Sequence, residues 1–157
     1  MRIDETNKDW LSARRALQAD DTLGCVACRG GETLTGTGRG VRPLLVWLAE
    51  GRRLDGFAAS DRVIGKAAAM LYVTLGATAV HGCVMSEAGL AMLRDHGVAA
   101  AYDELVPMIR NRASTGMCPI EQSVQGIDDP AEAEAPIRAA VARLMAARRP
   151  DGAGDPA

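Results

Sequence analysis

The stretch from Asp55 to Gly97, DGFAASDRVIGKAAAMLYVTLGATAVHGCVMSEAGLAMLRDHG, decides the fold because its apolar residues switch period along its length. Residues 55–59 read as a strand and 61–75 as a helix stopped by Gly76. Residues 79–85 then read as a second strand and 86–96 as a helix stopped by Gly97. Strands alternating with helices imply parallel pairing through right-handed crossovers. Residues 67–85 carry no formal charge, which is about the length that crosses a bilayer. Gly76, Thr78, His81 and Gly82 interrupt that run and its halves differ in period, so a buried helix followed by a buried strand is expected, and no membrane partner.

Toward the N-terminus, residues 22–28 and 32–37 read as two strands joined by the turn Arg29-Gly30-Gly31. Before them, residues 4–19 form an amphipathic helix with Trp10, Leu11 and Leu17 inward and Arg14 and Arg15 outward. Pro43 suits the first turn of a helix carrying residues 44–48 and ended by Gly51. Toward the C-terminus, an extended segment is expected at 104–109, a loop at 110–117 and a short helix opened by Pro119. The last helix, 130–149, places Ile137, Val141 and Leu144 on one face, and residues 150–157, PDGAGDPA, are expected to be disordered.

With 157 residues, 48% of them apolar and 24% charged, the chain reads as a single α/β domain over residues 1–149 with enough apolar material for a core. Aromatic residues amount to 3%, too few for stacking platforms, and a net charge of -2 leaves no phosphate-backbone footprint, so nucleic acid is not an expected partner. The opening MRIDETNKDW has no apolar h-region, so the cytoplasm is the expected location.

Cys25-Val26-Ala27-Cys28 invites a zinc or thiol-redox reading. Residues three apart in a strand face opposite sides of a sheet, however, so the pair is read as small strand residues, with a thiol sensor as the rival. His81 and Cys83 share a face but lack a third ligand, so no metal is expected. Cys118 differs: Met117-Cys118-Pro119-Ile120-Glu121 is a capping box with Cys in place of Ser. A thiol there feels the positive end of a helix dipole, which favours thiolate chemistry, with Arg110 and Arg112 as cationic help; the alternative is an inert cap.

Ligands of open α/β sheets bind beyond the carboxyl ends of the parallel strands. Ser60-Asp61, Ser86-Glu87 and Asn111-Arg112 are expected at those ends, although helix capping alone explains Ser60, Asp61 and Ser86 one by one. Gly65 inside a helix implies that something approaches its backbone. Lys66, one of two lysines beside sixteen arginines, either snorkels to the surface or is a partly desolvated amine. Gly36-Thr37-Gly38-Arg39-Gly40-Val41-Arg42-Pro43 places a basic loop before a helix N-terminus, which suits an anion, although a hairpin exit turn explains the glycines equally.

The segments GRGVRPLL (38–45), SDRVIGKAAAML (60–71), VMSEAGLAML (84–93) and IRNRASTGMCPIE (109–121) together resemble a prokaryotic family of uncharacterised domains, the domain of unknown function family 1893. That resemblance implies a cytidine-deaminase-like fold: a three-layer sandwich on a mixed five-stranded sheet that starts with an antiparallel hairpin, with helices on both faces. Zinc deaminases carry a His or Cys with a catalytic Glu at one core helix and Pro-Cys-x-x-Cys at the next. Neither is found here, so zinc deamination is not expected. The resemblance implies a site in the same crevice built from Asp61, Lys66, Asn111, Cys118 and Glu121.

The leading expectation is a metal-independent domain without a cofactor that binds a small anionic or nucleotide-like molecule and could act on it. Asp61 would serve as acid or base, Lys66 as an electrophilic amine and Cys118 as nucleophile. Arg39, Gly40, Arg42, Ser60, Ser86 and Arg112 would hold the ligand. A non-catalytic binding module is the rival reading, and self-association is left open.

Overall fold

The computed structural model describes residue 3 and residues 7–147. Helix α1, Lys8–Ala19, begins at Asn7, whose side chain accepts a hydrogen bond from the Trp10 amide at 3.0 Å. Strands β1, Leu23–Arg29, and β2, Glu32–Thr37, form the antiparallel hairpin, and α2, Arg42–Ala49, follows with Pro43 in its first turn. Next come β3, Ala58–Ile64; α3, Lys66–Leu75; β4, Ala79–Ser86; α4, Glu87–Asp95; and β5, Ala99–Val106. Helix α5, Pro119–Ser123, a turn of 3-10 helix at Pro130–Glu132 and α6, Glu134–Ala147, complete the described chain.

The five strands form one mixed sheet in the order β2-β1-β3-β4-β5. β1 is antiparallel to both β2 and β3, while β3, β4 and β5 are parallel. Helix α1 covers one face, closing small clusters of Ile3, Trp10, Ala58 and Ala79 and of Ala13, Leu17, Val26 and Cys28. The other face carries the main core, where Leu44, Trp47, Met70, Leu71, Leu75 and Leu93 from α2, α3 and α4 meet Ala27, Ala59 and Val80 of the sheet. The helical layer ends sharply at Gly76, whose φ of 94° lets its amide donate to the Tyr72 and Val73 carbonyls. The uncharged run thus divides into α3 and β4, and among the described residues no helix is long and apolar enough to cross a membrane.

Two strands lie elsewhere than the sequence predicts. β3 occupies residues 58–64 instead of 55–59, because Asp55-Gly56 is a turn, and the strand then continues through Ser60 and Asp61. Neither residue caps a helix; Gly65 stands at the N-cap of α3. Local capping preference loses here because both polar side chains find buried partners, Tyr72 for Asp61 and His81 for Ser60. β5 likewise begins at Ala99 instead of 104, since its alanines sit close beside β4 in register Ala79↔Ala99. Helix α1 starts at Lys8, with residues 4–6 of the expected helix outside the described residues. The final helix is interrupted near its start by the 3-10 turn at Pro130, and its residues 148–149, like the tail 150–157, lie outside the described residues.

Candidate functional site

β2 runs in the same sense as β3, β4 and β5, since each of its relations to them passes through an antiparallel β1. The loop after β2 therefore opens on the same rim as the carboxyl ends of the parallel strands. A cavity of about 470 Å³ lies at that rim, within the size range of small-molecule sites. Its walls come from the β2–α2 loop (39–41) with Arg42 at the start of α2, the end of β3 with the start of α3 (Val63, Gly65, Ala68), residues 109–113, residues 118–121 and the last turns of α6.

Arg39, Arg42, Arg110 and Arg112 all line this cavity. Elsewhere five arginines are paired, Arg14 with Asp103, Arg29 with Glu32, Arg52 with Glu50, Arg53 with Asp55 and Arg138 with Glu134. Arg62 donates to the Leu17, Asp20 and Leu23 carbonyls, and Arg15, Arg94 and Arg143, like Arg62, have no carboxylate partner among the described residues. Among the described residues, none of the four cavity arginines has a carboxylate partner. Four arginines against the single carboxylate of Glu121 leave this apolar-walled hollow with a net positive lining. Their placement is held by backbone. The Arg110–Met117 bridge and the Cys118 amide donating to the Ile109 carbonyl at 2.9 Å close the loop that carries Arg110 and Arg112. Within it the Asn111 amide group both donates to Thr115 Oγ1 at 3.1 Å and accepts from the Thr115 amide at 3.0 Å. Asn111 lines the cavity but spends its polar atoms on the loop.

The capping box does not form: Cys118 caps α5 without a side-chain hydrogen bond, and α5 is only five residues long. Glu121 instead reaches another helix, accepting from the Lys66 amide at 2.6 Å and the Ala67 amide at 3.0 Å, so it closes the N-terminus of α3. Burial raises the Glu121 carboxyl above its ordinary value, and the two amide hydrogen bonds and the Lys66 charge pull it back down. This carboxylate is what approaches Gly65, where any Cβ would collide with it. The Lys66 side chain lies outside the lining, its Nζ 3.4 Å from the Gln125 carbonyl and 3.9 Å from Asp128. Cys118, half-buried, is on the lining.

Asp61 is not on the lining. It is buried, with Oδ2 accepting from the Tyr72 hydroxyl at 2.6 Å and Oδ1 from the Val63 amide at 3.2 Å. Burial raises its carboxyl to about 7 against these hydrogen bonds, and burial together with Asp61 pushes the neighbouring Cys25 thiol well up. Ser60 and Ser86 are also buried and off the lining; Ser86 Oγ caps α4, accepting from the Gly89 amide at 3.0 Å. Thus Arg39, Gly40, Arg42, Asn111, Arg112, Cys118 and Glu121 come together, while Asp61, Lys66, Ser60 and Ser86 do not join them.

A polar chain invisible in the sequence runs beneath α1. Ser60 Oγ lies 2.7 Å from His81 Nδ1, and His81 Nε2 lies 3.0 Å from Asp103 Oδ1, which also accepts from Arg14 at 3.2 Å. Cys25 and Cys28 belong to the clusters on opposite faces of the sheet, as strand alternation requires. Among the described residues no three His, Cys, Asp or Glu side chains are grouped to hold a metal ion. Sequence reasoning missed Val63 and the α6 end as cavity wall: Val141 and Leu144 belong to the expected apolar face, but they and Met145 serve the rim.

A family model described as Domain of unknown function (DUF1893) matches residues 12–140. Among solved structures, the crystal structure of a DUF1893 family protein, TM1506, from Thermotoga maritima is similar, at 26% identity over 91% of this chain and 95% of that one, with a TM-score of 0.75. No curated protein matches the chain.

Proposed function

The chain belongs to the DUF1893 family, and from that premise we propose that it binds a small organic anion, nucleotide-like or otherwise bearing phosphate or carboxylate, in the cavity at the strand rim. The observation that carries this reading is the gathering of four arginines, none with a carboxylate partner among the described residues, around an apolar hollow. Guanidiniums match phosphate and carboxylate oxygens in pairs. The strand order, with its antiparallel hairpin and parallel β3-β4-β5, fits the deaminase-like arrangement that the resemblance implies. Helices α3 and α4 open with Gly65-Lys66 and Ser86-Glu87, so no His or Cys stands where a deaminase would carry its zinc ligands.

A binding role is favoured over catalysis by an acid, an amine and a thiol acting together, because Asp61 sits in the core and Lys66 turns toward Asp128. The opposite-facing Cys25 and Cys28 give no support to a thiol sensor.

Calorimetric titration of the full chain with pyrophosphate and with AMP tests the reading. At least one of these anions is expected to bind, with an affinity that falls as salt rises. The pair Arg110→Ala and Arg112→Ala is expected to weaken it about tenfold or more, since hydrogen bonds to charged groups are worth about 1.5–3 kcal/mol. Affinity unchanged by the two substitutions, or failure of these anions and of organic phosphates and carboxylates alike to bind, contradicts it.

A further inference from the structure

Among the described residues the cavity wall contains no aromatic residue and no histidine. Its apolar residues are non-aromatic, with Val63, Ala68, Ile109, Val141, Leu144 and Met145 among them. Val63 and Met145 are 39% and 36% exposed, so both present aliphatic surface at this wall. A nucleobase is recognised by stacking on flat side chains and by free polar groups that meet its edges. Among the described residues no aromatic platform is offered, and the guanidinium planes that could stack on a base are the groups an anionic end would occupy. The Asn111 amide is closed on Thr115, and the Glu121 carboxylate is closed on the amides of α3. A hydrocarbon chain needs only aliphatic area, and an anionic end group needs only the arginines.

We propose that the ligand of this cavity is an aliphatic chain ending in a phosphate or carboxylate, its end group among Arg39, Arg42, Arg110 and Arg112 and its chain against Val63, Val141, Leu144 and Met145. This rests on the reading of the cavity as an anion site and narrows it by excluding the nucleotide-like class.

The experiment is a calorimetric series on the full chain, below micelle-forming concentrations, with butyl, hexyl and octyl phosphate, octanoate, AMP, inorganic phosphate and octyl glucoside. Each added methylene is expected to tighten binding about two- to fourfold, as partial to full burial of a CH₂ group implies. Octyl phosphate is expected to bind at least about tenfold more tightly than AMP or inorganic phosphate. Met145→Ser, a change at a surface position that leaves the core untouched, is expected to weaken octyl phosphate severalfold and to leave inorganic phosphate unchanged. The tighter of octanoate and octyl phosphate identifies the end group, and either order supports the proposal. Affinity that is flat along the alkyl series, or AMP binding as tightly as octyl phosphate, overturns the aliphatic assignment while leaving the anion site standing. Octyl glucoside binding as tightly as octyl phosphate, or no binding by any anion, overturns both.

Discussion

Glu121 accepts a hydrogen bond from the backbone amide of Lys66 at 2.6 Å, so a residue of α5 closes the N-terminus of α3 and ties the loop carrying Cys118 to the end of β3. This contact builds one wall of the cavity. It also explains Gly65, because a side chain there would occupy the space of the carboxylate.

Glu121→Ala is therefore expected to destabilise the protein by about 1–3 kcal/mol, the range for buried donors left without a charged acceptor. Gly65→Ala should act on the same contact, so the double substitution should cost less than the sum of the two. Urea unfolding of the two single variants and the double variant measures this; strict additivity would show that the contact does not couple them.

Asp61 sets a pH dependence of stability. Its carboxyl is raised from 3.8 to about 7 by burial, so between those values the unfolded chain releases a proton that the folded chain keeps. Asp61 then contributes stability that is complete below about pH 4 and is lost as pH rises toward 7, at about 1.4 kcal/mol per unit. Asp61→Asn should flatten that slope in denaturant titrations between pH 4 and 8. A slope unchanged by the substitution would assign the pH dependence to other groups.

The chain from Ser60 through His81 to Asp103 holds α1 on the sheet, with the Trp10 ring tilted against the His81 ring at a centroid distance of 5.9 Å. His81→Leu leaves the buried Ser60 hydroxyl without its imidazole partner and should cost about 1–3 kcal/mol. In a Trp47→Phe background, where Trp10 is the remaining tryptophan, its emission should shift to the red as α1 loosens. Unchanged emission and stability would remove His81 from this role.

Cys25 and Cys28 are buried on opposite faces, whereas Cys118 is half-buried on the cavity wall. Mild oxidation should therefore give no intramolecular Cys25–Cys28 disulfide by mass. Iodoacetamide should label Cys118 ahead of those two, and octyl phosphate should slow that labelling. A Cys25–Cys28 disulfide formed in the folded protein would contradict the placement of the pair.

The alternation of strands and helices in residues 55–97 is legible from the sequence because its periods differ, and the basic loop at Arg39 and Arg42 is legible from its glycines. Ser60 and Asp61 mislead because their local pattern is that of a helix cap, while their actual partners, His81 and Tyr72, lie 21 and 11 residues away. Glu121 misleads in the same way. Its spacing from Cys118 suggests a box within its own helix, yet it serves an amide 55 residues distant. Long-range pairing of this kind leaves no trace in a local pattern. That four arginines gather at one cavity emerges only from the fold, since each arginine alone looks like an ordinary surface residue.

The most direct test of the anion site is amide chemical-shift mapping of the full chain titrated with octyl phosphate and with pyrophosphate. The expected result is a saturable set of shifts confined to residues 39–42, 63–68, 109–121 and 141–145, with pyrophosphate affecting mainly the arginine-bearing loops. Shifts centred on the paired arginines of the opposite surfaces, such as Arg14 or Arg53, or no saturable shift at the rim, would contradict it.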